Sequence, residues 1–193
     1  MIAIIGSPVA AQAADGSHRA AGLGVRVARQ LVREGERVEV IGRIGADRVG
    51  EELTLSLARD GIGHVALMRD AALATPVGPS ARGVALDRGD AQLGLRYLTS
   101  YAAVLLIDPA SDALIQCVAE EAAYCGAHLV VVGDADLARG ASAPVASASS
   151  GAPNAAREVA PPLFLARPSA ESPEFDAVIA GLLTSEEGGS AKA

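Results

Sequence analysis

Short apolar runs alternate with amphipathic stretches along most of the chain. Ile2–Ile5 is an apolar run closed by Gly6-Ser7-Pro8, the pattern of a strand buried on both faces. Val25, Ala28, Leu31 and Val32 then recur at helical spacing, with Arg26, Arg29 and Arg33 opposite and Gly35 as a stop. Val38–Ile41 predicts a second strand and Val65–Met68 a third. Between them Asp47 is placed to cap a helix whose buried stripe is Val49, Leu53 and Leu57, ending near Gly61. From 70 to 100 the pattern loosens, with Pro76, Pro79 and several glycines around the run Gly83–Leu86. It recovers with a strand at Ala103–Ile107, a helix striped by Leu114, Ile115, Val118 and Ala122 that stops at Gly126, and a strand at Leu129–Val132. Leu163–Ala166 predicts one more strand and Phe175–Leu183 a last helix.

Alternating strands and helices predict an α/β fold: a mostly parallel sheet covered by helices in three layers. The expected organisation is one α/β domain over 1–138, an Ala/Ser/Pro-rich connection over 139–162, and a strand and helix of the same domain over 163–184. A disordered tail is expected over 185–193.

Half of the 193 residues are apolar, yet only three Tyr and two Phe are aromatic. The core must therefore be aliphatic, which suits a sheet buried on both faces. A net charge of −7 gives no basic field for nucleic acid or anionic lipid. Lys192 is the single lysine and lies in the tail, which excludes a phosphate-loop or Schiff-base lysine from the folded part. Cys117 and Cys125 stand eight apart on one predicted helix, without a zinc or disulfide spacing, and are expected in the core. His18, His64 and His128 are scattered, so no metal is expected. Ser149-Ser150-Gly151 lies in low-complexity sequence and does not form a hydrolase elbow. Ala11-Gln12-Ala13 has no positive charge before it and no long apolar run, so a signal peptide is not expected and the predicted location is the cytoplasm.

Gly22-Leu23-Gly24 opens a helix as a phosphate-binding loop would. About sixteen residues separate it from Gly6, however, and Val27 stands where a dinucleotide fold has its third glycine. A Rossmann-type nucleotide-binding protein is thus an alternative, not the leading reading.

Gly22-Leu23-Gly24-Val25-Arg26-Val27-Ala28, then Leu31, Gly35, Val38 and Ile41-Gly42-Arg43-Ile44-Gly45-Ala46-Asp47 through Gly50, carry a specific pattern. Leu53, Leu57, Asp60-Gly61-Ile62 and Ala74-Thr75-Pro76-Val77 follow in order. Over roughly residues 1–135 the chain resembles the N-terminal part of PfkB/ribokinase-type carbohydrate kinases. The resemblance implies a shortened ribokinase-like (Rossmann-like) fold, with a ligand site at the strand ends near Asp15, Gly22, Gly24, Arg26 and Asp47. It also exposes departures. Arg26 stands where the family has an Asn that contacts the sugar. Residues 8–14 contain no acid, so Asp15 is the nearest substitute for the family's substrate-binding Asp.

The family's Gly-Ala-Gly-Asp is absent, and Gly89-Asp90-Ala91 and Gly133-Asp134-Ala135 imitate only part of it. Asp90 is expected in a turn and Asp134 at the polar end of a strand. The metal-associated Asn-x-x-Glu would fall near Pro168-Ser169-Ala170-Glu171-Ser172, with Ser at both key positions. No catalytic residue is therefore assigned. The expectation is a catalytically inactive homologue that binds a small polyol or an anionic, sugar-phosphate-like ligand, or a homodimeric subunit, without nucleic acid or membrane. The alternative is half of a split kinase, using ATP and Mg only when a second chain completes it.

Overall fold

The computed structural model describes residues 1–134, 136, 161–168 and 170–185. The connection predicted over 139–162 (apart from 161 and 162), Ser149-Ser150-Gly151, and all of the predicted tail but Ser185 lie outside them. Within them, six parallel strands form the sheet: β1 (Ile2–Ile5), β4 (Val38–Gly45), β5 (Leu67–Asp70), β6 (Ala103–Ile107), β7 (His128–Gly133) and β8 (Leu163–Ala166). Their spatial order is β5-β4-β1-β6-β7-β8. Ile2 pairs with Val38 on one side and Ala103 on the other, so β1 sits at the centre and every one of its residues is buried.

Helices α1 (Leu23–Arg33), α2 (Arg48–Arg59) and α5 (Pro173–Thr184) cover one face, and α3 (Arg88–Tyr97) and α4 (Asp112–Cys125) the other. Strand side chains alternate between the two layers. Ile2, Ile4, Val38, Val40 and Leu105 meet the first set, while Ala3, Ile5, Ile41 and Leu106 meet the second. Leu31, Leu53 and Leu57 are completely buried, each contributing about 2 kcal/mol of hydrophobic stabilisation. The helices stop at Gly35, Gly61 and Gly126 as the pattern predicts.

Two elements differ from the pattern. The segment between β1 and α1 is a hairpin of β2 (Val9–Gln12) and β3 (His18–Ala21), paired from Val9–Ala21 to Gln12–His18. Its Ala-rich strands carry little intrinsic strand signal; they are held from outside, by α2. Ser56 accepts the Ala20 N–H at 3.1 Å, and Glu52 accepts the His18 N–H at 2.9 Å and faces its ring Nδ1 at 2.8 Å. The second is α3, in the 70–100 stretch where the apolar pattern is loose. Gly89 and Gly94 lower its helix propensity, but Asp87 and Asp90 form a reciprocal capping box at its start.

Smaller corrections have local causes. The third strand begins at Leu67, not Val65, because the Leu67 N–H returns to the His64 carbonyl at 3.1 Å and closes a turn. Asp90 is not a turn residue but the buried third position of α3, and Arg43 donates to it at 2.9 Å. Cys117 is buried but Cys125 is exposed. Eight helical residues turn the side chain by about 80°, which carries Cys125 off the buried stripe.

Candidate functional site

The sheet order reverses direction at β1. Strands β4 and β5 lie to one side of it and β6, β7 and β8 to the other. In an open parallel sheet such a switch point leaves a crevice at the carboxyl ends of the strands. A cleft of about 1010 Å³ opens there, with Gly6, Ser7, Ile107, Asp108, Gly133 and Arg167 at the strand ends. The hairpin, the start of α1 and the 78–86 loop form its walls.

Gly22 is the N-cap of α1, with φ of 99°, a backbone geometry that strongly favours glycine. No side chain caps this end. Helices α2, α3, α4 and α5 each start at a side-chain cap, from Asp47, Asp87, Ser111 and Ser172. Gly24 lets α1 approach the sheet closely: a Cβ there would lie 3.0 Å from Ile107 Cδ1 and 3.2 Å from Ile4 Cγ2.

Of the five residues expected near the site, Gly22, Gly24 and Arg26 line the cleft. Asp15 and Asp47 are not brought to it. Asp15 sits in the hairpin turn, where its carboxylate accepts from the Ser17 hydroxyl at 2.6 Å and the Ser17 N–H at 3.0 Å; these bonds lower its pKa. Asp47 caps α2 from the Gly50 N–H at 2.7 Å and also accepts from Thr75 N–H and hydroxyl, both at 2.8 Å. The Thr75 amide is the main cause of its lowered pKa. Arg26 is clamped between acids: Nε lies 2.7 Å from Asp176 and NH1 2.6 Å from Glu171.

Two residues that the sequence reading passed over stand in the cleft. Asp108 follows β6 directly, and its carboxylate lies 2.6 Å from the Arg167 guanidinium at the end of β8. Among the described residues Asp108 is also the one non-glycine residue with positive φ, at 45°. An acid followed by Pro109 at the end of the apolar run Val104–Ile107 was a usable signal for a carboxylate displayed at a strand end.

Solved structures of similar shape carry one theme. A fructokinase from Halothermothrix orenii superposes with a TM-score of 0.52 at 17% identity, over 68% of this chain and 56% of that one. An uncharacterized sugar kinase from Pyrococcus horikoshii gives 0.54 at 16% identity, over 72% and 58% of the two chains. A PfkB protein from Polaromonas sp. JS666 gives 0.54 at 17%, over 68% and 54%. The fold is ribokinase-like. No protein-family model matches the sequence, and no curated protein matches it significantly.

The chain spans little more than half the length of these kinases. Within that span, the ribokinase-like sheet places Gly22–Arg26 at the cleft and Ser172 at the start of α5. Ser172 accepts the Phe175 N–H at 3.2 Å and donates to Glu174 at 2.9 Å, while Ser169 lies outside the described residues. Among the described residues no group of three or more His, Cys, Asp or Glu could hold a metal. No described helix is long and apolar enough to cross a membrane.

Proposed function

We propose that this chain is a ribokinase-like ligand-binding protein that holds a small polyol or sugar-like ligand in the switch-point cleft and does not itself transfer phosphate. The observation that supports this most is the cleft: a strand-end crevice of small-ligand size, walled by the glycine loop of α1 and a hairpin, with Asp108 in its lining. A carboxylate accepts hydrogen bonds from vicinal hydroxyls, and a guanidinium beside it holds it in orientation. The sequence supplies no Gly-Ala-Gly-Asp loop to hold the transferring phosphate and deprotonate an acceptor.

A panel of hexoses, pentoses and nucleosides tests the reading by thermal shift and calorimetry. At least one is expected to raise the melting temperature, and Asp108→Asn to remove most of that rise without lowering the unliganded melting temperature by more than a few degrees. With Mg-ATP and the bound sugar, no phosphorylated sugar is expected; sustained turnover by the purified chain refutes the second half of the proposal.

The alternative of a kinase completed by a second polypeptide has one observation in its favour. Among the described residues strand β8 pairs only with β7, and Leu163 on β8 and Val178 on α5 are exposed. A partner that adds a strand at this edge would cover both. Co-expression with the remaining half of a sugar kinase, followed by activity assay, separates the two readings.

A further inference from the structure

Four arginines and three carboxylates line the cleft, although the chain as a whole carries −7. Three of the arginines are already engaged. Arg26 is held by Asp176 and Glu171, Arg29 by Asp60 and the Ala20 carbonyl, and Arg167 by Asp108. Arg82 has no hydrogen-bond or ion-pair partner among the described residues. It stands on the 78–86 loop, and that loop is anchored on both sides of it. Gly78 donates to the Ala10 carbonyl at 2.9 Å, and Ala81 donates back to Gly78 at 3.2 Å. On the other side, Gly83 packs so tightly against the Ser7 carbonyl at the end of β1 that a Cβ there would collide with it. Leu86 then buries the loop's exit.

We infer that the ligand of this cleft carries an anionic group, and that Arg82 is the residue that recognises it. The inference rests on the cleft being a sugar-type site, as proposed above, and adds the chemical class. Arginine presents a planar fork that matches carboxylate or phosphate oxygens bidentately, whereas a neutral hydroxyl gains little from it. The anchored backbone reduces the ordering that binding requires. Arg26, the obvious cation at the start of α1, does not serve this role, because its two carboxylate partners already satisfy its charge. Arg82 is the cation that the cleft leaves uncompensated. The neutral end of the ligand falls to Asp108, which lines the same cleft at the end of β6.

The test is calorimetric titration of a neutral hexose, its phosphate monoester and the corresponding hexuronate into the wild-type chain, Arg82→Gln and Arg82→Lys. The wild type is expected to bind an anionic sugar at least about tenfold more tightly than the neutral one, and to lose that margin as salt is raised. R82Q is expected to erase the margin while leaving the neutral hexose unchanged, and R82K to keep part of it. Whether the phosphate or the uronate shows the larger margin identifies the anion. Equal binding of neutral and anionic sugars by the wild type, or a margin that survives R82Q, overturns the inference and leaves the sugar site standing. Failure of all three sugars to bind overturns the sugar-site reading, and this inference with it.

Discussion

Arg26 and Asp47 both looked like ligand contacts, and the structure gives each a set of protein partners. Removing them is therefore expected to reduce stability. Arg26→Ala leaves Asp176, whose side chain is only 10% exposed, without its cation. A half-buried pair of this kind lies between an exposed and a fully buried one, so a loss of about 2 kcal/mol is expected in urea denaturation. Combining it with Asp176→Ala should cost less than the two single losses added together. Asp47→Ala removes an N-cap and strands the Thr75 amide in a nearly buried site, for an expected loss of about 2 kcal/mol at neutral pH. The cap was legible in the sequence because its main partner, Gly50, is three residues away. The clamp on Arg26 was not, because Glu171 and Asp176 lie 145 and 150 residues further along the chain. Local periodicity carries no trace of such a contact.

At the scale of elements, the hairpin depends on α2. The His18 ring is the first cause, and Arg48 the next, holding the Glu52 pKa at about 2 from an ordinary value near 4.5. A carboxylate with a depressed folded pKa stabilises fully above its unfolded value, and that contribution disappears as pH falls through the folded one. Wild type should therefore lose its advantage over Glu52→Gln between about pH 4.5 and pH 2. Denaturation at pH 6, 4 and 2 reads this directly, and a constant difference across the series would contradict it. Helix α3 depends on a missing side chain. A Cβ on Gly94 would run into Ile41, which is completely buried in β4. Alanine gains about 1 kcal/mol of helix propensity, but overpacking costs about 1–3 kcal/mol, so Gly94→Ala should be destabilising overall. The strands of the sheet were legible because their apolar runs are uninterrupted. The hairpin and α3 were not: the first has mostly alanines to show, and the second carries the glycine that its packing requires.

At the scale of the whole molecule, the parallel three-layer architecture followed from alternation alone, and the specific resemblance came from the glycine pattern over 22–50. The cleft's acid, Asp108, needed the sheet order to be seen, since Arg167 reaches it across the end of β7, from β8 to β6. Among the described residues nothing pairs with the outer edge of β5, and Val65, Leu93 and Tyr97 are exposed beside it. Open edges with apolar neighbours favour self-association. A dimer mass is expected in light scattering at micromolar concentration, and Leu93→Lys with Tyr97→Lys should shift it to a monomer. A wild-type monomer at high concentration would count against the dimer. The clamp on Arg26 also orders events in time. Helix α1 leaves the ribosome well before α5, and Arg26 meets its partners Glu171 and Asp176 only 145 and 150 residues later. Long-range closure of this kind slows folding and prolongs the exposure of unfinished surface. The nascent protein must carry the Arg26 flank of α1 without its acids until those later residues are made, and only then can the clamp that joins α1 to α5 close.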